Sequence, residues 1–379
     1  LMSQQRHIPA LKRVVVKIGS AVLAPGGNLS KDRVDNLAEQ IAGVRRRGLD
    51  VTVVSSGAVA SGFRAFGLDA PPSEIVGKQA AAAVGQPRLM QAWHDALSRR
   101  SLASAQVLLI SDDFVDRTRY LNARRVLGHL RAAGVVPIIN ENDTVSYDEI
   151  RFGDNDALAA HVAGLISADL LVVLSTASGL YEDGDPTRVL PCVRLTGAES
   201  AAALQSHVSR EKTLTGVGGM ASKLHAMGVA SSLGIPSIIA SGTEPDVLAR
   251  VLDGETLGTF FEVGGAGAAS RRDAWIVAGV RVTGGVSVDR GAAEALVQRG
   301  ASLLPRGVTG VHGVFARGSS IDIVDDASRV IARGLAAYTD QEARAIAGRR
   351  SSEIETILGY SLGEELVHRD DLVLTTRPA

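Results

Sequence analysis

The sequence predicts a three-layer αβα sandwich with a mostly parallel central sheet, followed by a small β-rich α+β domain. From residue 13 to about 262, apolar runs alternate with helical patterns, as expected of parallel strands joined by crossover helices. Runs such as VLLI (107–110) and LLVVL (170–174) are apolar on both faces, which suits strands of a central sheet covered on both sides. Beyond VGGAGAAS (263–270), whose small residues pack no core, the rhythm changes to short alternating runs.

In order, RVVVKI (13–18) is followed by a helical segment near 30–47, then DVTVVSS (50–56) and helical segments near 57–67 and 73–98. AQVLLI (105–110), a helix near 118–133, GVVPIIN (134–140), a helix near 155–166 and DLLVVLS (169–175) continue the series. GGMASKLHAMGVASSLG (218–234) is a helical pattern closed by glycine, and IPSIIAS (235–241) is a further buried strand. The expected boundaries are 10–262 for the first domain, 263–272 for a linker and 273–379 for the second domain. The second holds AGVRVTGGVSVD, GVTGVHGVFARG and SIDIVD, with helices around 291–299 and 340–349.

A length of 379 residues exceeds what one core usually serves, and 45% apolar residues suffice for two. Lys+Arg 40 against Asp+Glu 41 gives a net charge of −1, which points to a small-molecule protein rather than a nucleic-acid or membrane partner. The tail from 273 carries twelve arginines and no lysines against fourteen Asp plus Glu. It therefore lacks the cationic surplus that non-specific RNA binding needs. The single cysteine, Cys192, forms no intramolecular disulfide and suits a reducing compartment. Without an apolar leader segment or a bilayer-length apolar stretch, the expected location is the cytoplasm.

Chemistry concentrates in four glycine-bearing segments at strand and helix ends: VVVKIGS (14–20), VVSSGAVASG (53–62), INENDTVSYDEIRFGDNDALAA (139–160) and GVGGMASKL (216–224). No GxxxxGK[ST] pattern occurs, so any phosphate must be held by several separate loops. Lys17, at the end of the first strand, either points across the carboxyl ends of the sheet or caps its strand in solvent. Ser55-Ser56-Gly57 opens a helical pattern and offers N–H groups and hydroxyls to a carboxylate or phosphate; simple helix capping explains it equally.

The segment 140–156 is the most specific, with Glu141, Asp143, Asp148, Glu149, Asp154 and Asp156 beside Asn140, Asn142 and Asn155. It follows an apolar strand and runs into an apolar helix, which favours a site over a polar surface loop. It has no EF-hand pattern, and no His or Cys cluster suggests zinc. Gly216 to Lys223 is a side-chain-poor turn into a helix with a cation in its first turn, which suits a β- or γ-phosphate, although glycines before a helix are by themselves equally an ordinary turn.

In this order, and with GKQAAAAVGQPRLMQAW, RYLNAR, SGLY, GASLLPRGV and VHRDDLVL, the segments resemble the glutamate 5-kinases of the amino acid kinase fold, with a C-terminal PUA-like domain. The resemblance implies ATP and L-glutamate as substrates and Mg²⁺ held through the ATP phosphates. It also implies a dimeric or tetrameric homo-oligomer and proline as a feedback inhibitor. By position it implies that Ser56, Asp143 and Asn155 bind glutamate, and that Lys17 and Lys223 neutralise the transferring phosphoryl group while Asp156 holds them. ATP would be lined by Lys17, Ser175, Thr176 and Val217, Gly218, Gly219, Met220, Ala221, Ser222 and Lys223.

The family commonly has Thr-Asp at 175–176, Thr at 217 and Lys at 151, where this chain has Ser175-Thr176, Val217 and Arg151. The first two departures bear on nucleotide affinity or base preference rather than reaction type. The third exchanges ammonium for guanidinium, with different geometry. Two other readings compete: a related phosphotransferase with another acceptor, and an RNA-binding or regulatory protein with a weakened kinase site.

Overall fold

A computed structural model describes residues 6, 8, 10–146, 155–196, 200–201, 204, 219–264, 282 and 284–375. The chain divides into two compact units, Leu1–Val115 with Ala123–Ala268, and Asp116–Asn122 with Ala269–Ala379.

The first unit is built on an eight-stranded sheet of β1 (Arg13–Ile18), β2 (Asp50–Ser55), β3 (Ser104–Leu109), β4 (Val136–Glu141), β5 (Leu170–Ser175), β6 (Cys192–Leu195), β7 (Ser237–Ser241) and β8 (Thr259–Val263). Their order is β3-β4-β2-β1-β5-β7-β8-β6, and every pairing is parallel except β7 with β8. The unit's helices are α1 (Ser20–Leu23), α2 (Lys31–Arg46), α3 (Ala58–Gly62), α4 (Ile75–Ser98), α5 (Asp112–Val115), the part of α6 (Arg117–Ala132) from Ala123 onward, α7 (Asn155–Leu165), α8 (Met220–Ser232) and α9 (Val247–Leu252).

Local sequence explains these elements. Ser30 accepts a hydrogen bond from Arg33 N at α2's start, Asp32 lies in its first turn and Arg45 and Arg46 in its last, matching the helix dipole. Its Val34, Leu37, Ala38 and Ile41 are buried against the sheet. Every residue of β4 and β5 is buried, as continuous apolar runs require. Strand β1 lies between β2 and β5, so successive crossovers leave it in opposite directions. The carboxyl ends of these strands open the crevice where such sheets bind ligands.

Three expectations need correction. VLLI belongs to the edge strand β3, where Leu108 is exposed, rather than to a doubly covered centre. The helix expected over 57–67 is only the five-residue α3 followed by a 3₁₀ turn at Phe63–Phe66, so little macrodipole supports anion binding at Ser56. Strands β6 and β8 were not anticipated. In β6, exposed Cys192 and Arg194 alternate with less exposed Val193 and Leu195, so the doubly apolar signal is absent. Strand β8 ends at Val263, inside the expected linker, most of which lies outside the described residues.

Helix α3 packs backbone to backbone on α4. A Cβ at Gly62 would run into the Ala81 carbonyl, and one at Gly85 into the Ala58 carbonyl. Gly57, in the left-handed region at φ 111°, turns the chain from β2 into α3. Gly85→Ala is therefore expected to destabilise the chain by about 1–3 kcal/mol through overpacking. Urea titration measures this, and an unchanged midpoint would contradict the close docking.

The second unit is a five-stranded sheet, order β10-β9-β11-β12-β13, of β9 (Gly284–Val288), β10 (Val308–Gly313), β11 (Ser320–Val324), β12 (Val330–Leu335) and β13 (Leu372–Leu374). Only β9 and β11 pair in parallel. Helices α10 (Arg290–Arg299), α11 (Asp340–Ile346) and α12 (Ile354–Leu358) accompany it, and Val286, Ile321, Ile323, Tyr338 and Ile346 fill its core.

Thr339 and Glu342 form a capping box at α11, each accepting the other's backbone N–H, at 3.3 and 2.9 Å. Glu342 also pairs with Arg317 and accepts from Tyr360. Burial alone pushes the Glu342 carboxyl upward, but the hydrogen bonds from Arg317, Tyr360 and Thr339 N override it and lower its pKa to about 2. A depressed carboxylate stabilises fully above the unfolded value and loses that contribution as pH falls through the folded one. Glu342→Gln should cost roughly 1–2 kcal/mol near neutral pH, allowing for solvent screening of the pair. The gap from the parent should close between about pH 4.5 and 2; a gap independent of pH across that window would exclude the ionised carboxylate as its source.

Candidate functional site

Three side chains distant in sequence meet at the centre of the crevice. Lys17, the fifth residue of β1, is in register with Val54 of β2 and Val173 of β5. Asp156 is the second residue of α7, and Lys223 lies in the first turn of α8. Asp156 Oδ1 pairs with Lys17 Nζ, while Oδ2 accepts from Lys223 Nζ at 3.1 Å. All three are buried, and Asp156 is 0% exposed.

Burial alone raises the pKa of the Asp156 carboxyl, but the charges and hydrogen bonds of Lys17 and Lys223 reverse this and hold it below the usual carboxylate value. Among the described residues two cations flank one anion in a poorly solvated place, an arrangement suited to receiving an anion.

Beside this cluster lies an amide and hydroxyl network on a second set of elements. The ends of β1 and β2 are fixed by Gly19 N donating to Leu174 O of β5 and Ser56 N to Ile18 O of β1, at 3.0 and 3.1 Å. Ser55 Oγ accepts from the buried Trp93 indole N–H of α4 at 2.9 Å. Ser56 Oγ accepts from Asn155 Nδ2 at 2.9 Å, and Asn155 Nδ2 also donates to Asn140 Oδ1 at 2.8 Å. Asn140 Nδ2 donates to Gln86 Oε1 at 2.7 Å. After β4, the 142–146 turn is tied down by Ser146: its Oγ donates to Glu141 Oε1 at 2.5 Å and its carbonyl accepts from Gln79 Nε2 at 2.8 Å. Asp143 lies half-buried in this turn.

Among the residues expected at the nucleotide, Ser175 ends β5 and is buried; its carbonyl accepts from Gly242 N at 2.8 Å. Thr176 follows and is exposed. Gly219 is the N-cap of the 13-residue α8, whose first turn contains Met220, Ala221, Ser222 and Lys223. A glycine cap contributes no side-chain oxygen, and a Cβ there would meet nothing within 4 Å. Val217, Gly218 and Arg151 lie outside the described residues.

The structure thus joins Lys17, Asp156 and Lys223 in one cluster and Ser56 with Asn155 in another, adjacent through residues 155 and 156. Sequence reading missed the contributions of Gln79, Gln86 and Trp93. These residues recur every seven positions along one face of the alanine-rich α4, and each bonds to a different junction of the crevice. That spacing was the available signal.

Residues 12–241 match the amino acid kinase family, and residues 284–358 match the PUA domain. The glutamate 5-kinase of Thermus thermophilus is 46% identical over 367 residues, covering 96% of this chain and 97% of that protein. The glutamate 5-kinase of Myxococcus xanthus is 47% identical over 371 residues, covering 96% of each. The solved structure of Giardia carbamate kinase superposes with a TM-score of 0.50 at 16% identity, over 68% of this chain and 100% of that one, which is a likeness of fold. A family match over more than half of the residues, and identity near one half along almost the whole length, place this chain in the amino acid kinase family, among the glutamate 5-kinases.

Proposed function

We propose that the chain transfers the γ-phosphoryl group of ATP to the γ-carboxylate of L-glutamate, giving γ-glutamyl 5-phosphate, the first step of proline biosynthesis. The observation that carries this reading is the buried pair of lysines balanced by one carboxylate, set beside a hydroxyl and amide network at the sheet's switch point. The acceptor carboxylate, with an unperturbed pKa of about 4.3, is already ionised near neutral pH, so no general base is required.

The obstacle is the approach of one anion to another. Lys17 and Lys223 oppose it by neutralising the charge that spreads over the transferring oxygens, and Asp156 keeps both ammonium groups in place. An acceptor oxygen attacks the γ-phosphorus, the bond to the β–γ bridging oxygen breaks, and ADP leaves with that electron pair.

Asp156 is engaged with both lysines. Magnesium, carried in with ATP, would supply further neutralisation of the phosphates. The roles assigned to Ser56, Asp143 and Asn155 at the acceptor, and to Ser175 and the α8 turn at the nucleotide, belong to the same reading. Proline inhibition and assembly into a dimer or tetramer rest on the family alone. Residues 10–262 carry the reaction in this account, and 273–379 form a separate domain. No helix among the described residues is long and apolar enough to cross a membrane.

The test is formation of γ-glutamyl hydroxamate from ATP, glutamate and hydroxylamine, which traps the acyl phosphate. Product should require both substrates and fail with aspartate, carbamate or a nucleoside monophosphate as acceptor. Absence of product with glutamate would overturn the assignment.

A further inference from the structure

Resting on that reading, we propose that Gln86 is a positioning residue that holds the Asn140 amide, and through it Asn155 and Ser56, in the geometry that selects an acceptor with a free α-ammonium group.

The argument begins at one unambiguous donor. The backbone N–H of Glu141 donates to the side chain of Asn140 at 2.9 Å, so the Asn140 atom at that point is the oxygen. The other Asn140 atom is therefore Nδ2, and the Gln86 atom 2.7 Å away must accept, which makes it Oε1. On the far side, the Asn155 atom 2.8 Å from Asn140 Oδ1 must donate, so it is Nδ2. That same Nδ2 reaches Ser56 Oγ at 2.9 Å, and Ser56 Oγ is the acceptor there.

Every amide in the chain thus has its direction set. Both Asn155 hydrogens are engaged internally, and its Oδ1 accepts from no described group. Ser56 Oγ has used a lone pair, so its own hydrogen remains available. The pair therefore offers one acceptor and one donor side by side, complementary to an α-amino acid head group, whose ammonium donates and whose carboxylate accepts.

Gln86 is the end of this chain. Without its Oε1, Asn140 Nδ2 loses its acceptor, and the Asn140 amide is held through its oxygen alone, by the Glu141 N–H and Asn155 Nδ2. The other end of the Gln86 amide, Nε2, is buried and has no hydrogen-bond partner among the described residues. A buried polar group left unpaired opposes stability, so the position is not explained by its own satisfaction. Its engaged atom serves Asn140.

The experiment compares wild type, Gln86→Met and Gln86→Glu by steady-state hydroxamate kinetics, with glutarate, which lacks the α-ammonium, as a competing ligand. Methionine keeps the length but removes the acceptor; glutamate restores an acceptor oxygen. Gln86→Met should raise the glutamate KM about tenfold, keep kcat and the ATP KM within about twofold, and reduce the preference for glutamate over glutarate about tenfold. Gln86→Glu should recover that preference to within about threefold of wild type. Equal loss in Met and Glu variants, a Met variant with unchanged preference, or a Met variant whose kcat and ATP KM worsen along with the glutamate KM would each overturn the proposal. An inactive wild type would instead overturn the assigned reaction, so the two failures are distinct.

Discussion

Lys223→Ala is expected to lower kcat at least 100-fold while leaving the glutamate KM within about threefold. Lys223 sits in the first turn of α8 with its ammonium on Asp156 and only 7% of the residue exposed, so its charge acts in a poorly screened place. A hundredfold loss corresponds to about 2.7 kcal/mol of transition-state stabilisation, a reasonable share for one cation facing a transferring phosphoryl group. Glutamate affinity should be nearly indifferent, because Ser56 and Asn155 bond to each other rather than to Lys223. Initial rates over a matrix of ATP and glutamate concentrations measure this. A turnover within threefold of the parent would remove Lys223 from the chemistry.

Asp156→Asn should have the largest effect on the protein itself. The substitution leaves two buried ammonium groups without their shared counter-charge, and breaking a buried pair by removing one partner costs about 3–5 kcal/mol. The isosteric amide keeps the volume, so the loss reports charge rather than a cavity. In the proposed reaction ATP supplies the missing negative charge when it binds. Saturating MgATP should therefore raise the unfolding midpoint of Asp156→Asn by more than it raises that of the parent. Thermal unfolding of both proteins with and without nucleotide measures the difference. Equal nucleotide-induced shifts would mean that Asp156 does not balance lysines that meet the phosphates, as the proposed reaction requires.

Much of this arrangement was legible in the sequence because it follows from patterns that need no distant partner. Continuous apolar runs marked β1, β2, β4, β5 and β7, and the polar residues placed just after them marked the crevice. Lys17 and Lys223 each stood out by position, at a strand end and in a helix's first turn. Their junction through Asp156 joins residues 67 and 139 positions apart, which is a property of the sheet order rather than of any local signal.

Other features stayed hidden for particular reasons. β6 alternates in exposure, and β8 runs antiparallel to its neighbour, so neither fits the strand–helix rhythm. Gln79, Gln86 and Trp93 share a helix face that reads as ordinary amphipathic packing until their partners, 38 to 67 residues away, are known. Helix α3 is shorter than its pattern suggests because glycine packing against α4, not helix propensity, sets its position.

The central claim is that a glutamate carboxylate oxygen becomes bonded to the γ-phosphorus of ATP at this site. Glutamate labelled with ¹⁸O in its γ-carboxylate tests it directly. Hydroxylamine attacks the carbonyl carbon of the acyl phosphate and releases phosphate still carrying the bridging oxygen. The account predicts one ¹⁸O atom in each phosphate released during hydroxamate formation, read by mass spectrometry. Phosphate free of label would show that no carboxyl–phosphoryl bond had formed and would contradict the account.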